Sequence, residues 1–206
     1  RLAERAGVTT TGTFVADESR RSRRDNAYVA GLGRTRRVVL FDTLLEHMTR
    51  SEILAVLAHE LGHWKKHHVL SRMIASYAFA LAGAYLAFVL STAEGLPALV
   101  GLDAASFPAR IVILGALGSL CMFPLTPLFS YWSRRHEWQA DRFAVELHGR
   151  PADLANALIK LARENLSNLH PHPIYAAFYY SHPPMAERVR ALQLGSEPPG
   201  GGQGGA

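Results

Sequence analysis

The spacing of apolar and polar residues changes along the chain, and each change predicts a different element. Gly12 to Ala16 (GTFVA) is a short run rich in strand formers. Ala27 to Leu32 and Arg36 to Phe41 (RRVVLF) predict two further strands, joined by a Gly-Arg-Thr turn as a hairpin. From about Ser51 the spacing becomes helical. Ile53, Leu54, Val56, Leu57 and Leu61 supply an apolar face, with Glu52 in the first turn. Met73 to Ala93 and Ile111 to Ser133 then carry no charged residue. About 20 apolar residues are enough to cross a hydrocarbon core as a helix, so the pair predicts a transmembrane hairpin. Two buried helices of a soluble core are the competing reading. Pro124 and Pro127 predict a kink, which a membrane bundle tolerates. Past Arg134 the helical pattern returns as far as His148, and Gly149-Arg150-Pro151 predicts a stop. Ala152 to Asn165 predicts an amphipathic helix. Pro183 to Leu194 predicts a last one, capped by Ser181.

This pattern predicts a mainly α chain with a small β-sheet (α+β). Residues 1–68 form the first part of one domain, 69–133 a transmembrane helical hairpin and 134–195 the second part of that domain. Residues 196–206 form a Gly/Pro-rich tail expected to be disordered. The chain begins at Arg1 without a Met and reads as a piece of a longer protein.

Charge decides the orientation of the hairpin. Lys65, Lys66, Arg72, Arg134 and Arg135 flank it on the side shared by both halves of the domain, whereas the loop from Glu94 to Arg110 has Arg110 as its one basic residue. The Lys/Arg bias places the shared side in the cytoplasm. The net charge of +5 and pI near 9.7 first suggest nucleic acid. The basic residues argue against it. Arg20, Arg21, Arg23 and Arg24 lie in a turn-like stretch with no aromatics between them, and Arg34, Arg36 and Arg37 flank the hairpin turn. They read as solvated loops beside an anionic membrane surface. No nucleic-acid partner is expected. The single Cys121 reads as a small buried hydrophobe.

The chemistry sits in AVLAHELGHW, where His59, Glu60 and His63 form an H-E-x-x-H motif on a predicted helix. Residues four apart share a face, so both imidazoles reach one zinc ion, while Glu60 is turned aside toward a water. His67 lies about 12 Å along the axis from His59, too far to share that ion. His67 and His68 are therefore expected to face solvent or headgroups. Glu137, in SRRHEWQADRFA, is the better third ligand. Asp141 follows one turn later, placed to accept the spare N–H of a zinc histidine. Pairing of both carboxylates with Arg134, Arg135 or Arg142 is the competing reading.

Five stretches together (RRDNAYVAG, RRVVLFDTLL, LAVLAHELGHWKKHH, SRRHEWQADRFA and YSHPPMAERVRAL) resemble the type 1 CAAX prenyl protease family of integral-membrane zinc endopeptidases. The resemblance runs from about residue 20 to 192. It implies a zincin-like gluzincin core interrupted by the transmembrane hairpin. It implies one Zn²⁺ on His59, His63 and Glu137, with Glu60 as catalytic base and Asp141 behind the ligands. It also implies His182 and Arg188 as catalytic residues near the scissile carbonyl, and Asn26 at the start of an edge strand along which substrate lies. The family has further upstream transmembrane helices enclosing a large chamber, and this chain is expected to lack that part of the enclosure.

The implied activity is peptide hydrolysis. A zinc-activated water attacks, Glu60 takes its proton and passes it to the leaving amine, and His182 with Arg188 stabilises the oxyanion. The partners are membrane lipid and a peptide or protein substrate, with a C-terminally prenylated tail as one class. Damaged membrane proteins, cleaved by related heat-shock proteases, are the other, and a membrane scaffold with a vestigial zinc site is the non-enzymatic alternative. Composition suggests a bacterial inner membrane, and a eukaryotic host would imply the ER membrane.

Overall fold

The structure is a computed structural model that describes residues 2–20, 25–31 and 35–195. Arg21, Arg23, Arg24, Leu32, Gly33, Arg34 and the expected disordered tail at 196–206 lie outside the described residues. The chain forms two compact units, one of residues 1–68 with 130–206 and the other of Val69–Phe129.

The first unit opens with a helical turn, α1 (Leu2–Arg5), and a three-stranded sheet. β1 (Gly12–Ala16), β2 (Ala27–Ala30) and β3 (Arg37–Phe41) match the predicted strands. β3 is central, antiparallel to β2 as the hairpin requires, with Tyr28 opposite Val39 and Val29 opposite Val38. β1 joins parallel to β3, a pairing with no local sequence signal. Being central, β3 buries Val38, Val39 and Leu40 in succession, whereas edge strand β2 alternates, with Ala27 and Val29 inward and Tyr28 outward.

Helix α2 (Asp42–His47) follows directly. Helix α3 (Arg50–Lys65) starts on a capping box: Thr49 Oγ1 accepts from the Glu52 N–H, and Glu52 Oε2 accepts from the Thr49 N–H at 2.7 Å. Buried Glu52 also accepts a 2.7 Å hydrogen bond from Lys160 Nζ on α7 (Pro151–Glu164). α3 ends before His67, whose φ of 57° is left-handed, and α4 (His68–Ser91) begins one residue later.

Helix α6 (Thr126–His148) stops at Gly149, and α7 starts with Pro151 at its first position, as the Gly-Arg-Pro signal predicts. His148 Nε2 lies 2.7 Å from Asp153 Oδ2, and Ser51 of α3 donates to the same carboxylate. A short helix, α8 (Pro173–Tyr179), was not expected. The last helix, α9 (Met185–Leu194), starts later than predicted. Pro184 is its extended N-cap, and no side chain caps it. The expected Ser181 cap is thus corrected. A residue before proline avoids helical backbone, so Pro183 cannot begin the helix. The core of this unit joins Val29, Leu40, Leu44, Ala58 and Leu61 to Ala144, Leu154, Leu158 and Leu192.

The second unit holds most of α4, then α5 (Phe107–Met122), with a 3-10 turn at Pro97–Val100 between them. Arg110 closes that loop by donating to the Ser91, Ala93 and Ala105 carbonyls. A second 3-10 turn at Phe123–Leu125 contains Pro124, where a kink was expected. Two helices, His68–Ser91 and Phe107–His148, are long and apolar enough to cross a membrane, and the most apolar stretches of the two are 0% and 6% buried. A soluble core helix would be mostly covered, so this exposure disfavours the soluble-core reading. Cys121 is exposed rather than buried, because α5 turns its apolar side chains outward.

Candidate metal centre and cleft

The centre is built where α3 meets α6. Contact between the two helices depends on Gly62, between the motif residues Glu60 and His63. A Cβ there would lie 3.1 Å from Ala140 Cα and 3.2 Å from the Phe143 ring. Ala140 is itself fully buried. The absent side chain lets the two backbones approach closely enough for their ligands to converge.

The convergence is tight. His59 Nε2 and His63 Nε2 are 3.2 Å apart. Glu137 Oε2 is 3.5 Å from the first, and Glu137 Oε1 is 3.3 Å from the second. Four donors about 2.0–2.1 Å from a tetrahedral zinc stand about 3.3–3.4 Å from one another, so the two imidazole nitrogens and the Glu137 carboxylate converge at the spacing such a site needs. Glu137 is buried, with His182 Nδ1 2.9 Å and Arg188 Nη1 3.4 Å from its Oε2. Among the described residues, carboxylates Glu60, Glu137 and Asp141 surround the centre with Arg188 as the one guanidinium. The carboxylates thus exceed the guanidinium, and a divalent cation would balance that excess in place of the proton that Asp141 and Glu137 favour on His59. The donor set and charge therefore fit zinc.

Asp141 stands behind the ligands. The His59 Nδ1–H donates to its Oδ1 at 2.8 Å, and Arg188 donates to both its oxygens at 2.6 and 2.8 Å. All of Asp141, Arg188 and Glu137 are buried. Burial opposes a charged His59 ring, yet Asp141 and Glu137 hold its pKa up at about 9. Burial raises Glu60 above the usual carboxylate range, with His59 and His63 opposing. An elevated pKa suits a carboxylate that must accept a proton.

Of these groups His59, Glu60, Glu137 and Arg188 line one cleft of about 870 Å³, together with His182 and Asn26. His182 Nδ1 lies 2.9 Å from Glu137 Oε2. Asn26 precedes edge strand β2. Its carbonyl accepts from the Phe41 N–H, and its side-chain Oδ1 accepts from the Ala27 N–H. The structure thus gathers His59, Glu60, His63, Glu137, Asp141, His182, Arg188 and Asn26 around one cleft.

Some neighbours of this cleft were not foreseen. His68, expected to face solvent, is buried instead. The break at His67 turns it back, so that its Nδ1 lies 3.1 Å from His63 Nδ1. His67 itself is exposed, as expected. Arg134, read only as a flanking charge, donates to the Ala176, Ala177 and Tyr180 carbonyls at the end of α8. It anchors the Tyr180–Pro184 segment that carries His182. Trp64 Nε1–H donates to the Val29 carbonyl at 3.1 Å, tying α3 to β2, with Arg36 stacked on its ring.

Residues 1–194 match peptidase family M48, and the chain belongs to it. It is 42% identical over 186 residues to the CAAX prenyl protease 1 homolog of Arabidopsis thaliana, covering 87% of this chain and 42% of that protein. It is 38% identical over 214 residues to CAAX prenyl protease 1 of Saccharomyces cerevisiae, covering 95% and 47%. The crystal structure of S. mikatae Ste24p superposes with a TM-score of 0.81 at 35% identity, covering 93% of this chain and 48% of that one. The chain thus spans about half the length of these relatives, and the resemblance read from its motifs holds.

Proposed function

We propose that the protein containing this chain is an integral-membrane zinc endopeptidase with a zincin-like core. The observation that carries the proposal is the approach of His59 Nε2, His63 Nε2 and the Glu137 carboxylate to within 3.2–3.5 Å of one another, with Glu60 in the same cleft. Bound zinc would supply a Lewis acid for the attacking water and the scissile carbonyl. Glu60 accepts the water's proton and passes it to the leaving amine. Asp141 fixes His59 with its lone pair on Nε2, and Arg188 holds Asp141 in place. His182, whose side chain is exposed, donates to the developing oxyanion, and the Arg188 Nη1 not bound to Asp141 assists from beneath. Substrate is held as an added strand beside β2, starting at Asn26. The relatives' names support a prenylated C-terminal tail as substrate.

The test uses full-length protein. Metal analysis should find about one zinc per chain, lost in a His59→Ala, His63→Ala double variant. Glu60→Gln should retain zinc and lose about 10²–10⁴ in hydrolysis of a farnesylated C-terminal peptide. Zinc near zero in wild type, or activity of Glu60→Gln within tenfold of wild type, would refute the mechanism. Faster cleavage of unprenylated membrane-protein segments would move the substrate to the quality-control class.

A further inference from the structure

We infer that His68 is a positioning residue for His63, fixing the tautomer that presents His63 Nε2 as a lone pair at the metal centre. This rests on the zinc reading above and assigns it a buried relay that the motif does not contain.

The relay can be traced from its far end. Gln139 Oε1, on α6, lies 2.8 Å from His68 Nε2. An amide oxygen only accepts, so His68 Nε2 carries the hydrogen. A neutral imidazole has one N–H, which leaves His68 Nδ1 as a lone pair. That lone pair faces His63 Nδ1 at 3.1 Å, so His63 must carry its own hydrogen there. His63 Nε2 is then the lone pair, and it is the atom 3.2 Å from His59 Nε2 and 3.3 Å from Glu137 Oε1. Gln139 therefore does for His63, through His68, what Asp141 does directly for His59.

The ring is held rigidly enough to act this way. His68 is 2% exposed and stacks on His136, centroids 4.1 Å apart and planes within 6°. On an uninterrupted helix a residue five positions on would be rotated about 140° from His63. The left-handed His67 removes that offset.

The experiment measures zinc affinity of full-length, detergent-solubilised protein by chelator competition, beside the melting temperature of the metal-free form. His68→Leu removes the acceptor and should weaken zinc binding about 10- to 100-fold. His68→Asn puts an amide oxygen where the ring Nδ1 stood, and should bind within about fivefold of wild type. Gln139→Met should weaken binding by an intermediate factor. Unchanged affinity in His68→Leu overturns the inference. So do equal losses in the Leu and Asn variants with parallel falls in melting temperature, which would make His68 a packing residue. Wild-type protein that binds no zinc overturns the metal reading and this inference with it, whereas zinc bound normally by wild type and His68→Leu alike overturns this inference alone.

Discussion

Asp141 meets two demands with one carboxylate, since it accepts from His59 and from Arg188 while buried. Asp141→Asn would leave Arg188 as a buried cation with a neutral partner. Breaking such a pair costs roughly 3–5 kcal/mol, so this variant should melt markedly lower. Its zinc affinity should fall about 10- to 100-fold, less than in Glu137→Gln, which removes a ligand. Chelator competition on both variants ranks them, and the reverse order would exchange the two roles. His47 offers a pH test away from the metal. Its Nδ1 lies 3.0 Å from both oxygens of buried Asp25, and that hydrogen bond raises its pKa, with burial opposing. A raised folded pKa stabilises fully below the unfolded value of about 6.5, and the contribution is lost as pH rises through the folded value. Melting temperature should therefore fall across that upper window in wild type and fall less in His47→Gln. The effect will be small, because the His47 side chain is 39% exposed.

At the scale of elements, Gly62 and Trp64 set how α3 meets its neighbours. Gly62→Ala would drive a methyl to 3.1 Å from the α6 backbone, which side-chain motion cannot relieve. Overpacking of this kind costs roughly 1–3 kcal/mol and would also spread the ligands, so melting temperature and zinc affinity should fall together. Affinity intact in a destabilised Gly62→Ala protein would mean that the helices reseat without moving the ligands. Trp64→Phe keeps an aromatic ring, though a smaller one, and loses the bond to Val29, whose own cost is about 1 kcal/mol. If β2 carries substrate, KM should rise more than kcat falls. The elements readable from sequence were those with local signals: alternation in β2, the Glu52 first turn, the Gly149–Pro151 stop, the two uncharged runs. Ligands spaced four apart were equally plain, because one turn fixes their face. What stayed hidden depends on contacts distant in sequence or on a single backbone angle. Nothing local pairs β1 with β3, or aims Arg134 at the carbonyls of α8. The burial of His68 is hidden for the same reason, since it depends on the left-handed backbone at His67.

For the whole molecule the decisive question is how the chain lies in a membrane. The proposed ligands His63 and Glu137 lie on either side of the uncharged runs 73–93 and 111–133, which belong to helices long enough to span one. One ion cannot be shared across a bilayer, so the number of crossings between these ligands must be even. The basic residues on the ligand side, Lys65, Lys66, Arg72, Arg134 and Arg135, against Arg110 in the intervening loop, predict that this side is cytoplasmic. Arg110 donates to the Ser91, Ala93 and Ala105 carbonyls, which holds its single charge at the turn between the two apolar helices. Segments upstream in a longer protein could reverse the overall orientation, yet they cannot separate the two ligand-bearing segments from each other. Labelling of single cysteines in full-length protein tests both statements. Cys121 is exposed and must first be replaced, for example by Ser. Asn168→Cys and Ala98→Cys, both at exposed positions, should then react with a membrane-impermeant reagent from opposite faces. The Asn168 site should react from the cytoplasmic face. Reaction of both from one face would mean that the hairpin does not cross, and reaction of the Asn168 site only from the outer face would reverse the orientation while leaving the metal centre whole.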